Sequence, residues 1–201
     1  MPLYLPRSFS RSRRRISWRF FAALVVLLLA AALIATACHH RAQNRHYREF
    51  LDALAMRESS DNYTAVNSLG YLGRYQLGGM ALQDAGFKDA AGSWTATAAR
   101  HGVHSKEDFL ATPAAQDAAV TAYHRRLCRY IRNYGLEEYL GTQYCGVEVT
   151  RSGLLAASHL VGAKALAEAL ASGEPVYDGN RVPASEYMQL LAGYRIGKVW
   201  K

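Results

Sequence analysis

The residues best placed to do chemistry lie between Arg57 and Gly78, in the run RESSDNYTAVNSLGYLGRYQLG. Glu58 stands where an amphipathic helix runs out. A polar loop follows it, then a Gly-rich aromatic segment ending in Tyr75 and Gln76. A carboxyl group so placed can serve as a proton donor near neutral pH, because burial disfavours its charged form. The negative end of a helix dipole acts in the same direction. Asp61 and Asp84 are the nearest further carboxylates, and they read as a loop charge and a helix-surface charge. His101 and His104 fall three apart without a third ligand, and the adjacent His39 and His40 lack ligand spacing, so no metal site is expected. No nucleotide fingerprint and no Ser-His-Asp set is visible, and no cofactor is expected.

The elements that must carry Glu58 are helical. Phe50, Leu51, Leu54 and Ala55 share one face of a helix starting at His46, with Arg48, Glu49 and Asp52 largely opposite. Asn62, Asn67, Ser68, Gly70 and Gly73 make the segment from Asp61 to Gly73 a loop or small hairpin. A helix over Gln76–Ala85 closes at Gly86. The stretch from Phe87 to Lys106, with Trp94, is weakly patterned. Thr112-Pro113 opens a helix that runs to about Tyr134 and stops at Gly135. Arg125, Arg126, Arg129 and Arg132 suit its later turns. A short helix over Leu136–Leu140 precedes a loop with Cys145. Thr150 caps SGLLAASHLVG, Gly162 separates that segment from AKALAEALAS, and Asp178-Gly179-Asn180 makes a turn. A last helix covers Ser185 to Leu191. The class is mainly α, without internal repeat.

The N-terminus has a different composition. Arg7, Arg11, Arg13, Arg14, Arg15 and Arg19 account for most of the formal net charge of +8. The remainder is close to neutral, which gives no reason to expect nucleic-acid binding. Residues 1–19 read as a basic cytoplasmic region, and 20–38 as a transmembrane anchor or signal segment. As a helix, the uncharged run Phe20–Ala37 reaches roughly 27 Å, enough to cross a hydrocarbon core. Three fates are open: a retained anchor, cleavage after Ala35-Thr36-Ala37, or acylation of Cys38 in a lipobox-like Ala35-Thr36-Ala37-Cys38. Each places the rest of the chain outside the cytoplasm, on the far side of the membrane. Residues 39–45 form a short linker and 46–201 a single domain. Exported cysteines tend to pair, so Cys128 and Cys145 are expected to form a disulfide worth roughly 3 kcal/mol.

ESSDNYTAVN, GYLGRYQLG and SGLLAASHLVG, in that order, resemble the three motif regions of the lysozyme-like lytic transglycosylases of bacterial peptidoglycan. Glu58-Ser59 is similar to the Glu-Ser pair of that family, and Gly73-Arg74-Tyr75-Gln76 to its Gly-x-x-Gln segment. Ala157-Ser158-His159 matches the third region loosely, because Tyr and Asn are absent. The resemblance implies a lysozyme-like domain with a small loop or hairpin after the catalytic helix, in a membrane-attached protein of the bacterial envelope with this domain in the periplasm. It implies that Glu58 is both acid and base, cleaving the MurNAc–GlcNAc bond while the sugar's own 6-hydroxyl closes a 1,6-anhydro end. It also implies that Gln76 bonds the substrate, that Ser59 orients the glutamate or a substrate acyl group, and that His159 faces the glycan. Tyr71, Tyr75 and Trp94 would line the sugar groove, since aromatic faces pack on pyranose rings. The partners are then glycan strands and, through the N-terminal segment, the membrane. A true hydrolytic lysozyme and a non-catalytic wall-binding protein on the same fold are the alternatives.

Overall fold

The structure is a computed structural model that describes residues 18–200, with side-chain surroundings for 24–36 and 46–200. The basic N-terminal region, but for its last two residues, and the side chain of Cys38 lie outside the described set. The chain divides into two units, 1–41 and 42–201, and the division falls inside the expected linker. The first helix, α1 (Trp18–Ser59), contributes to both. In the first unit every residue of Leu24–Thr36 is exposed. Among the described residues no single helix is long and apolar enough to cross a membrane, Leu24–Thr36 being a shorter apolar segment.

The second unit is mainly α. After α1 come α2 (Gly79–Asp84), α3 (Ala96–Ala99), α4 (Lys106–Ala111), α5 (Pro113–Asn133), a 3-10 turn (Leu136–Tyr139), α6 (Arg151–Val161), α7 (Ala163–Ser172) and α8 (Ala184–Leu190). One antiparallel hairpin, β1 (Gln143–Tyr144) and β2 (Val147–Glu148), pairs Gln143 with Glu148 and Tyr144 with Val147. The loop after Glu58 is pinned by two further antiparallel bridges, Val66 to Leu72 and Leu72 to Leu77.

Helix α5 is the central strut. Ala115, Ala119, Val120, Tyr123, Leu127 and Ile131 recur at helical spacing and are buried together with Gln116 and His124. From α1, Tyr47, Phe50, Leu51, Leu54 and Ala55 pack against this core. Each large apolar side chain so buried contributes roughly 1.5–3 kcal/mol. A second cluster, around Leu136, Leu154, Leu166 and Met188, lies beside the first. Helix α6 separates them, giving Leu155 and Ala156 to one and Leu154 and Ala157 to the other. Thr150 caps α6 by accepting from the Gly153 amide. At Gly162, whose φ of 81° suits glycine, the chain bends by 115° into α7.

The cysteine expectation is overturned. Cys128 is buried in the α5 core and Cys145 is exposed at the tip of the β1–β2 hairpin, and both thiols are free. Burial pushes the Cys128 thiol up to about 12. The region from Phe87 to Lys106 is better ordered than its pattern suggested, because Thr95 and Ser105 cap two short helices.

Candidate active site

Glu58 is in the final turn of α1, which ends because Ser60 and Asp61 turn left-handed, with φ of 54° and 66°. Their amides return to the carbonyls of Met56 and Ala55, closing the orphaned end of the helix. The Glu58 carboxyl is 12 % exposed. Its Oε1 accepts a hydrogen bond from the Tyr187 hydroxyl of α8 at 3.0 Å. Burial raises its pKa to about 7, against the Tyr187 hydrogen bond and the nearby Arg57 charge; the charge on Asp178 raises it further. The group is therefore poised to hold or give up a proton near neutrality.

The carboxyl opens on a cleft of about 300 Å³ lined by Asn67, Leu69, Tyr71, Gln76, His159 and the 177–180 loop. Tyr71, Gln76 and His159 also line an adjoining groove of about 840 Å³ that runs over α2 and the start of α7. Glu58, Tyr71, Gln76 and His159 are thus brought together at one cleft. Gln76 reaches the cleft from a tight turn: its φ is 45°, and its side-chain amide donates to the Gly73 carbonyl at 2.9 Å. Tyr71 lies across Gly78, where any Cβ would come within 2.7 Å of the ring.

Ser59, expected to orient the acid or a substrate acyl group, and Tyr75 and Trp94, expected in the groove, do other work. The Ser59 hydroxyl donates to the Arg74 carbonyl at 2.8 Å and accepts from the Asn62 amide at 3.0 Å, tying the helix end to the loop without facing the cleft. The Tyr75 ring is buried, with its hydroxyl donating to Asp117 and accepting from Arg74. Trp94 packs on Phe109 and under Lys88, away from both grooves. In each case a neighbour's need for a partner or for apolar cover outweighs the residue type's aptitude for sugar.

The loop that carries Gln76 is fastened by residues the sequence did not single out. Gln116 of α5, almost fully buried, accepts from the Arg74 amide at 2.8 Å and donates to the Tyr63 and Phe109 carbonyls. The Arg74 guanidinium bonds Asp61, Asp52 and the Tyr75 hydroxyl, and sits over the rings of Tyr63 and Tyr75. Asp61 is consumed there, and Asp84 accepts from Tyr130, so neither carboxylate serves Glu58. Asp178 is the carboxylate that shares the Glu58 cleft. Its oxygens accept from the Asn180 and Val182 amides and the Asn180 side chain, which closes the 178–182 turn. The Asp-Gly-Asn sequence announces that turn and not its position.

His159 occupies the floor beside the acid, with Nε2 3.8 Å from Glu58 Oε1 and 3.1 Å from the Tyr75 carbonyl. Its Nδ1 lies 3.1 Å from Nε2 of His124, which is itself bonded through Nδ1 to the Tyr47 hydroxyl at 2.9 Å. Burial lowers the His159 pKa to about 4. The contact with Glu58 is therefore made by a neutral imidazole, and below pH 7 to a mostly protonated acid, so it is not an ion pair. Comparison of the chain with protein-family models, curated proteins and solved structures finds no match.

Proposed function

We propose that the protein is a peptidoglycan lytic transglycosylase on a lysozyme-like domain, held at the envelope membrane by its N-terminal segment, with the catalytic unit on the periplasmic side. The observation that carries this reading is one buried carboxyl, raised to about 7, in a cleft that Tyr71, Gln76 and His159 share with an adjoining groove. Protonated Glu58 gives its proton to the glycosidic oxygen, and the C1–O bond breaks. The resulting carboxylate then takes the proton of the sugar's 6-hydroxyl as that oxygen bonds to C1, leaving an anhydro end and restoring the acid. No water is consumed. Gln76 offers a side-chain carbonyl toward the bound strand while its amide holds Gly73.

Asp178 favours a second reading, hydrolysis, because a paired carboxylate in the same cleft could activate water. Its engagement with two backbone amides favours the one-acid mechanism instead. Digestion of purified sacculi decides between them. Muropeptide ends lighter by one water indicate transglycosylation, and reducing ends indicate hydrolysis. Glu58→Gln should abolish release while sedimentation with sacculi persists; release by this variant would refute the assignment. Binding without release by the wild type would leave the wall-binding alternative.

A further inference from the structure

We propose that Tyr47, His124 and His159 form a positioning chain for the candidate site, holding the Tyr75–Gln76 turn and the imidazole face beside Glu58 in one hydrogen-bonded state. The proposal rests on the reading of Glu58 as the acid.

The geometry assigns every proton in the chain. The Tyr75 carbonyl can only accept, so the His159 nitrogen 3.1 Å away, Nε2, carries hydrogen. A neutral His159 then has a bare Nδ1, which must accept from Nε2–H of His124 at 3.1 Å. That leaves His124 Nδ1 bare, and the Tyr47 hydroxyl donates to it at 2.9 Å. One direction alone satisfies all three contacts, and it runs from α1 through α5 to α6 and the Gln76 turn. Tyr47, His124 and His159 are all buried or nearly so. Apolar residues would fill such a core at no penalty for unmade bonds, so a fully satisfied polar chain there specifies one arrangement. Its far end, Tyr47, lines a different cavity of about 940 Å³, so that residue can be altered without touching the Glu58 cleft.

At the Tyr47 end the Thr121 hydroxyl and Lys198, over the ring at 5.6 Å, are the polar neighbours; at the other end the groups beside His159 and Glu58 do not compete for the chain's protons. His159 faces Glu58 from α1, and His124 and Tyr123 from α5, with the Tyr123 ring centred 5.5 Å away. Glu58 faces Tyr187 from α8, with Arg57 and Asp178 as the nearby charges. Arg57 is itself paired with Glu186. If the Tyr47 hydroxyl is removed, His124 Nδ1 can take a proton and the chain can reverse. His159 Nε2 would then present a lone pair to the Tyr75 carbonyl, which repels it, and to Glu58, which can bond to it. The turn loosens and the acid acquires a competing partner.

The test uses the full-length chain with Tyr47→Phe, His124→Leu and His124→Gln, the last restoring a donor toward His159. Nitrogen NMR of the imidazoles reads the His159 tautomer, and sacculus digestion across pH gives kcat, KM and the upper limb. Wild type should show a neutral His159 with hydrogen on Nε2. Tyr47→Phe and His124→Leu should mix the tautomers and lower kcat about tenfold to a hundredfold, with KM little changed. Their upper pH limb should move above that of wild type, because a lone pair on Nε2 holds the Glu58 proton and no longer offers hydrogen to the carboxylate. His124→Gln should recover most of the kcat. Unchanged kcat and tautomer in both disruptive variants would overturn the proposal. So would an equal loss in His124→Gln with the wild-type tautomer, which marks a purely structural role. If the wild-type protein releases nothing from sacculi, the enzymatic reading fails, and the His159 tautomer in Tyr47→Phe still decides the chain.

Discussion

Holding a carboxyl group protonated near neutrality has a stability consequence that can be measured without substrate. The Glu58 pKa is 4.5 in an exposed setting and about 7 in the folded protein. Between those values the unfolded chain releases a proton that the folded protein keeps. Stability is therefore lost as pH rises through this window, and the loss is complete above about 7. A shift of that size corresponds to roughly 3 kcal/mol. Glu58→Gln removes the titration and keeps an acceptor oxygen for the Tyr187 hydroxyl. The variant should match wild type near pH 4 and exceed it by about 3 kcal/mol near pH 8. In thermal unfolding the gap at pH 8 should be about 6–12 °C for a unit of this size. Circular dichroism melts of both proteins at a series of pH values read it directly. A gap that stays constant from pH 4 to pH 8 would show that Glu58 titrates as an exposed carboxylate, and the proton-donor argument would fail with it.

Further expectations concern the groups around the acid. Tyr187→Phe deletes the hydrogen bond that favours the ionised carboxylate, so the upper limb of the pH–rate profile should move up, by about one pH unit; a downward move would contradict the assigned direction. Gly73→Ala drives a Cβ into the Gln116 side-chain oxygen on a backbone with φ of 71°. Urea titration should show a loss of at least about 2 kcal/mol, and sacculus release should fall because Gln76 shifts with the turn. Arg74→Met should destabilise by about 2 kcal/mol in the same assay, the half-exposed acidic partners limiting the loss. Alkylation of the native protein should label Cys145 and spare Cys128 until it is unfolded, with mass spectrometry as the readout.

Legibility followed the range of the interactions involved. Helix ends were readable where a cap lies within a few residues: Thr150 before α6, Gly162 between α6 and α7, Pro113 at the start of α5. Glu58 and Gln76 meet at one cleft because they fall in one short stretch, and the loop between them is closed by local Asn62 and Asn67 contacts. Contacts that join distant segments left no trace. Tyr187 meets Glu58 across 129 positions, and Gln116 reaches the Arg74 amide across 42. The misplaced aromatics have the same origin. Tyr75 and Trp94 have the right chemistry for sugar, but their surroundings on α5, Asp117, and on α4, Phe109, cannot be deduced from their neighbours in sequence. The short β1–β2 hairpin has two residues per strand, too few for an alternation to register.

The 177–182 turn and the end of α1 meet the cleft under different constraints. Tyr177 is 53 % exposed and the turn is closed chiefly by Asp178 within itself, whereas Glu58 is gripped by helices whose other faces form the interior. Variation can therefore accumulate in the turn, altering the shape of the cleft mouth, while proton affinity is inherited from packing that tolerates little drift. Selectivity and reactivity would then be separable by engineering. A grafted turn that keeps Asp178 and its two amide contacts should retune admission without rebuilding the acid.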